Sequence, residues 1–301
     1  MSDTPAVQDW LGEADDPRAR SLLTVRRHID AETRDDTDAI CATVSRDVFF
    51  AVPVRTAGGQ DLPEGSVLTN PDAVREYYSR RAEHYVVRAS SQLKSVATPW
   101  YVFNESAATL RATGPIEGVA AAGREFVVHS AILFPTAADG IRGEICITRH
   151  PFADVAAGRV VPRSVDGASP QDELPASRLL DEAWTSLRQG DILGLEARMA
   201  SHHRLALRID DERGHAEIHS GDRRADASSA LCRILDGARD VSLITRAVSS
   251  WYAFAEFRVL LASSQARHLA LLFSLDQGEI SGTFGYGWTS SSAEQSTSKT
   301  S

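Results

Sequence analysis

The chain has 301 residues, is 43% hydrophobic and 24% charged, and carries a net charge of −9. That is the composition of a folded globular protein with about two domains on a prior of ~150 residues each, and each half is long enough to bury its own core. The acidic balance argues against a nucleic-acid partner or an anionic membrane surface, and no apolar run reaches the ~18 residues of a membrane span.

Leu22, Val25 and Ile29 recur at helical spacing and predict a first helix from Ser21 to about Arg34. The run Asp35-Asp36-Thr37-Asp38 breaks it and offers caps for a second helix with Ile40, Val44 and Val48 as its stripe. Val48 to Val54 is an apolar strand stopped by Pro53 and Gly58-Gly59. Asn70-Pro71 is a helix start, and the helix to about His84 carries Val74, Tyr77 and Tyr78. Strands follow from Trp100 to Arg111, Arg124 to Phe134 and Ile141 to Thr148. Both parities of these strands hold apolar residues, as in a sheet covered on both faces. A linker is expected over 153–175, where glycine and proline accumulate and periodicity fades. The pattern then restarts. A helix through Leu179 to Leu187 ends at Gly190, and Asp191 caps another with Ile192, Leu195 and Met199. A short strand spans Leu205 to Ile209, Asp226 caps a helix, and three strands run from Val248, Ala266 and Glu279. The tail from 291 is Ser/Thr-rich and expected to be disordered, like the acidic lead-in before residue 18.

The restart is a repeat. Trp100-Tyr101-Val102-Phe103-Asn104-Glu105 returns 151 residues later as Trp251-Tyr252-Ala253-Phe254-Ala255-Glu256. His129-Ser130-Ala131-Ile132-Leu133-Phe134 returns 139 residues later as His268-Leu269-Ala270-Leu271-Leu272-Phe273. The first half carries an insert around Gly114–Gly123, a long hairpin connection or a pocket lid. The order helix-helix-strand-helix-strand-strand-strand, twice, makes an α+β chain with domains at 18–152 and 176–290.

Cys41, Cys146 and Cys232 are odd in number and far apart, and no CxxC occurs. They read as reduced thiols of a cytoplasmic protein. No signal peptide, HExxH, nucleophile elbow or glycine-rich phosphate loop is present, so neither a metal nor a cofactor is expected.

The stretch from His28 to Phe50, with Pro71-Asp-Ala-Val-Arg-Glu-Tyr-Tyr and Ala131-Ile-Leu-Phe…Asp139-Gly140-Ile141, resembles the nuclear transport factor 2-like, SnoaL-like superfamily. The resemblance covers about residues 18–152 and reaches 176–288 through the repeat. It implies two tandem cones, each a curved, mainly antiparallel sheet covered by about three helices. It also implies that the two sheets pack as an intramolecular pseudo-dimer, with a homodimer possible. Enzymes of this superfamily are implied to work by acid–base catalysis inside the cone: a carboxylate or histidine in an apolar pocket takes a proton from carbon beside a carbonyl. The isomerase pattern places an aspartate where this chain reads Phe49-Phe50-Ala51-Val52-Pro53, so that carboxylate is missing.

The remaining catalytic candidates are His129, Glu105, Ser130 and Tyr101. Trp100, Asn104, Tyr78, His28 and Glu144 are candidates for lining a site for a small apolar ligand. Each has a structural alternative. His129 recurs as His268, which suits architecture, and Tyr101 suits a core wall. Glu105 suits an exposed pair with an arginine, while His28 and Glu32, four apart, suit a solvated pair. Two functions follow: a cyclase, isomerase or dehydratase working in the first domain, or a non-catalytic ligand-binding or assembly protein of the same fold.

Overall fold

The computed structural model of the chain describes residues 16–52, 66–115, 120–149, 170–276 and 278–290. The acidic lead-in before residue 16, Pro53, Gly58-Gly59, the middle of the insert, most of the expected linker and the tail lie outside them. The chain divides into two compact units, 1–165 and 166–301, each with helices and a sheet of its own.

In the first unit, α1 (Pro17–Thr33) starts where the Asp16 carboxylate accepts from the Arg18 amide, with Pro17 at the first position. It buries Ser21, Thr24, Val25, His28 and Ala31, one stripe at three-to-four spacing. Asp35, at φ 54°, turns the chain into α2 (Thr37–Ala42), capped by Asp36. This helix is shorter than the apolar spacing predicts. Val44 leaves it to bridge Ile141 in parallel, and the Ser45 amide donates to the Ile141 carbonyl. Val48 is therefore buried from extended chain, not from a helix face. Then come β1 (Phe50–Val52), β2 (Ser66–Leu68), α3 (Pro71–His84), β3 (Tyr85–Ala97), β4 (Tyr101–Ala112), β5 (Glu125–Ala137), β6 (Gly140–Ile141) and β7 (Ile145–Arg149). The order is β2-β1-β7-β5-β4-β3, with β6 on β5 and with β1 parallel to β7.

The second unit holds α4 (Pro170–Gln189), α5 (Ile192–Glu196), β8 (Met199–Asp211), β9 (Ala216–Arg223) and α6 (Arg224–Leu235). These are followed by β10 (Ala238–Val248), β11 (Tyr252–Leu261), β12 (Ala266–Asp276) and β13 (Glu279–Ser290). Its order is β10-β11-β12-β13-β8-β9, with β8 parallel to β13. The helix α4 begins at Pro170, inside the stretch read as linker. Met199 lies in β8, not on a helix stripe. Asp226 is the third residue of α6, and its carboxylate accepts from the Arg223 amide at 3.3 Å.

The strands β2, β3, β9 and β10 are not anticipated by the hydrophobic pattern. All four are sheet edges, and the middle of β3 is exposed on both faces. Register shifts in β3 and β10 also interrupt their alternation. These bulges bend the long strands and curve each sheet around its helices.

The repeats coincide in register. Val102 faces Phe134 and Glu105 faces Ala131 across β4 and β5, while Ala253 faces Phe273 and Glu256 faces Ala270 across β11 and β12. Val102, Phe134 and Cys146 pack with Val25, Ala31, Ile40, Val74 and Tyr78, which fixes the helix-covered face of the first sheet. By alternation that face also carries Asn104, Ser106, Ser130, Ile132 and Glu144.

Candidate active site

Beneath α1 and α3 the first unit buries a chain of polar groups. Tyr78 Oη lies 2.8 Å from Glu144 Oε2 and 3.0 Å from His28 Nε2. His28 Nδ1 is 2.7 Å from Thr43 Oγ1, and the Thr43 hydroxyl donates to the Ile40 carbonyl at 2.6 Å. His28 is thus held through both ring nitrogens, between Thr43 and Tyr78. The Tyr78 hydroxyl donates to Glu144 Oε2, and its oxygen also stands against His28 Nε2. These contacts join Glu144, Tyr78, His28 and Thr43 in one buried relay.

Burial pushes the Glu144 carboxyl up to about 8, the nearby Glu32 charge adding to the rise, while the Tyr78 bond and Arg81 oppose it. Burial holds the His28 imidazole down at about 4, so it is neutral at pH 7. Burial likewise raises the Tyr77 and Tyr78 hydroxyls well above their ordinary range and pushes Tyr85 up to about 12. Arg81 is desolvated, yet Glu32 and the tyrosines around it hold its proton more firmly than usual. It is bonded to Glu32 and stands 3.6 Å from Asp35 Oδ1, with its guanidinium 4.8 Å from the Tyr78 ring centre.

The backbone delivers Glu144 to this place. A Cβ on Gly143 would stand 1.8 Å from the Phe49 carbonyl oxygen, so only glycine lets the approach to β7 pass so close to β1. The Ala51 amide then donates to the Glu144 carbonyl at 3.0 Å. The facing helices contribute His28 and Glu32, one turn apart on α1, and Tyr78 and Arg81 on α3.

Ligand atoms of His28, Glu32 and Glu144 lie within 4.8 Å of one another, close enough to hold a divalent ion. The Arg81 guanidinium already supplies the positive charge that Glu32 needs, and a proton on Glu144 leaves the cluster neutral. The donor set therefore suits proton chemistry better than a dication, which would leave an excess charge in a buried site.

Of the residues singled out from the sequence, His28, Tyr78 and Glu144 meet in this cluster. Ser130 and Asn104 lie on the same sheet face, and Ser130 hydrogen-bonds Cys146. Tyr101, Glu105 and His129 lie on the opposite face. Glu105 Oε2 is 3.8 Å from Lys94 Nζ, Tyr101 packs edge-on against Trp100, and the repeat counterpart of His129, His268, stacks on Trp288 at 4.6 Å. Arg81 and Thr43 were not singled out, and His28 with Glu32 is a buried group rather than a solvated pair.

The missed signal lies in the repeat. Matching helix caps and strand registers place Ala183 where the first unit has His28, Leu187 for Glu32, Leu231 for Tyr78, Ile234 for Arg81 and Thr283 for Glu144. All five replacements are buried. Ser106, Ser130 and Asn104 are matched by Phe257, Leu269 and Ala255, and Trp184 stacks on Phe257 at 4.5 Å. The second unit thus sets aliphatic side chains in place of His28, Glu32, Tyr78 and Arg81, while Thr283, in place of Glu144, lies 3.0 Å from Nε2 of the buried His203. A cavity of about 420 Å³, lined by Leu187, Cys232, Leu235, Arg239 and Val241, lies at the ends of α4 and α6.

No protein-family model matches the chain, and no curated protein matches it in sequence. Solved structures similar to it include one given as an isomerase from Rhodopseudomonas palustris, at 14% identity over 46% of this chain and 97% of the other, TM-score 0.38. Another, given as a polyketide cyclase from Xanthomonas campestris, is 19% identical over 44% and 91%, TM-score 0.35. A third is an LEH-like epoxide hydrolase from M. tuberculosis, 12% identical over 43% and 82%, TM-score 0.33. Ketosteroid isomerase-like and NTF-2 like proteins also match, each over half of this chain or less. Among the described residues no helix is long and apolar enough to cross a membrane.

Proposed function

We propose that the first unit is the working half of a small-molecule enzyme of the cyclase, isomerase or dehydratase type, which moves protons on an apolar, carbonyl-bearing substrate without a cofactor. The observation that carries this reading is Glu144: a buried carboxyl whose proton is held to about pH 8, at the end of a relay whose matching positions in the second unit, Ala183, Leu231 and Thr283, hold no acid. A group titrating near the working pH is the one that can both take and return a proton.

In the reaction the ionised Glu144 takes the proton from the carbon beside the substrate carbonyl. The C–H pair becomes the C=C of an enolate, and the charge passes to the carbonyl oxygen, toward the tyrosine hydroxyls of the interior. Glu144 then returns the proton to carbon, or a neighbouring leaving group departs. Tyr78 and His28 hold the carboxyl in place and are positioning residues. Tyr101, Glu105 and His129 have no part in this scheme, because they lie on the opposite sheet face.

The test is proton exchange at C2 of 1-tetralone in D2O, followed by NMR with the full chain. Exchange above buffer is expected, with a loss of at least about 100-fold in Glu144→Gln, on the scale of removing a general base. Its kcat/KM should rise with pH and level off above about 8, where Glu144 is ionised. Binding without exchange would turn the reading to a ligand-binding module. Exchange indifferent to Glu144→Gln would sink the assignment of the base.

A further inference from the structure

One polar group of the first unit's interior takes no part in the relay. Asn104 is 5% exposed on the helix-covered face of β4, between Ser95 of β3 and Ile132 of β5. Its Oδ1 is buried and has no hydrogen-bond partner among the described residues. An orphaned buried acceptor destabilises a protein, and native structures keep few of them. The fold does not require the amide, because the same register position in the second unit is Ala255, fully buried in the apolar core. A group that costs stability, and that the duplicated unit does without, calls for an account in terms of binding.

We infer that Asn104 is a second anchor of the first unit's ligand site, and that the ligand presents a hydroxyl or amino hydrogen to its Oδ1. The inference rests on the acid–base reading only for where the reacting carbon lies. Asn104, Ile132 and Cys146 stand in one row across three strands, and Glu144 is two residues back along the same face from Cys146. Strand geometry puts the Cα atoms of Asn104 and Glu144 about 12 Å apart. With both side chains turned inward, that span suits a ligand about two fused rings long, with its enolisable carbonyl at one end and its donor at the other. Half-buried Ile132 and Ser106 lie along or beside the span. The ligand class is a hydroxylated or aminated bicyclic ketone, not a plain hydrocarbon ketone.

The test compares 6-hydroxy-1-tetralone with 1-tetralone on the full chain by calorimetry. The hydroxylated ketone should bind at least about tenfold tighter, the worth of one hydrogen bond to a group otherwise left unpaired. Asn104→Leu should abolish that preference while leaving the affinity for 1-tetralone within about twofold, and should melt no lower than the parent. Asn104→Ala gives the same reading should the leucine not fit. Equal binding of the two ketones by the unaltered chain, no binding of either, or a preference that survives both substitutions overturns the proposal. Loss of C2 exchange in Glu144→Gln leaves this discrimination untouched, so failure of the chemistry and failure of the anchor are read separately.

Discussion

Glu144 gives the first unit a pH signature that can be worked out in sign. Its folded value of about 8 lies above the ordinary 4.5, so the folded protein binds this proton more tightly than the unfolded chain does. The stability it contributes is complete below about 4.5 and is lost as pH rises to about 8. The His28 value is depressed to about 4 from 6.5, so its contribution is present above 6.5 and falls away only below it. The interval from pH 6.5 to 8 therefore isolates Glu144 from His28. Across it the parent protein should lose about 1–2 kcal/mol relative to Glu144→Gln in urea titrations. Parallel curves for the two proteins would show that the carboxyl is ionised throughout. A second residue-scale prediction uses the repeat as a template. Arg81→Ile strands the buried Glu32 and should cost about 3 kcal/mol. The pair Glu32→Leu with Arg81→Ile copies Leu187 and Ile234 and should recover most of it; a double variant no better than the single would show that these positions are not equivalent.

At the scale of elements, the approach of β1 to the start of β7 positions the acid. Gly143→Ala drives a Cβ into the Phe49 carbonyl, and the strands must part to admit it. The cost should be about 2–4 kcal/mol, and C2 exchange should fall further than a stability loss of that size explains, because the Glu144 carboxyl moves with its backbone. An exchange rate that simply follows the folded fraction would remove the positioning argument. The cap of α3 is a contrasting control. Asn70→Ala removes the bond to the Asp72 amide and should cost about 1 kcal/mol with the exchange rate of the folded protein unchanged. The elements that escaped the sequence are of one kind. β2, β3, β9 and β10 are edge strands, the last three with side chains that meet water along much of their length, and bulges break the alternation of β3 and β10. Strands whose partners lie on both sides, such as β4, β5, β11 and β12, were legible because burial demanded apolar residues at most positions.

For the molecule as a whole, the duplication separates structure from chemistry. Both units keep the Trp-Tyr-x-Phe-x-Glu strand and its register, while only the first keeps the buried acid relay among the described residues. The second unit should therefore be silent in the exchange assay. Thr283→Val, at the position matching Glu144, should leave the rate within about twofold, and Glu144→Gln alone should remove nearly all of it. Residual exchange above about a tenth in Glu144→Gln that disappears with Thr283→Val would relocate the base to the second half.

The sequence by itself determined the duplication, the α+β order of each half and the caps at Asn70 and Asp191, because these follow from local spacing and from side chains that bond their own backbone. It also placed His28, Tyr78, Glu144 and Asn104 among the candidates. Which face each strand residue occupies was left to the tertiary structure. Both faces of these strands are buried, so alternation carries no sign of the inside, and His129 and Glu105 read as well as Ser130 and Asn104. The relay itself joins residues 28, 43, 78 and 144, and its carboxyl owes its proton to burial and to Glu32 across the interior. Desolvation and charge coupling are properties of the packed interior, and only the folded chain brings those four residues into one dry volume.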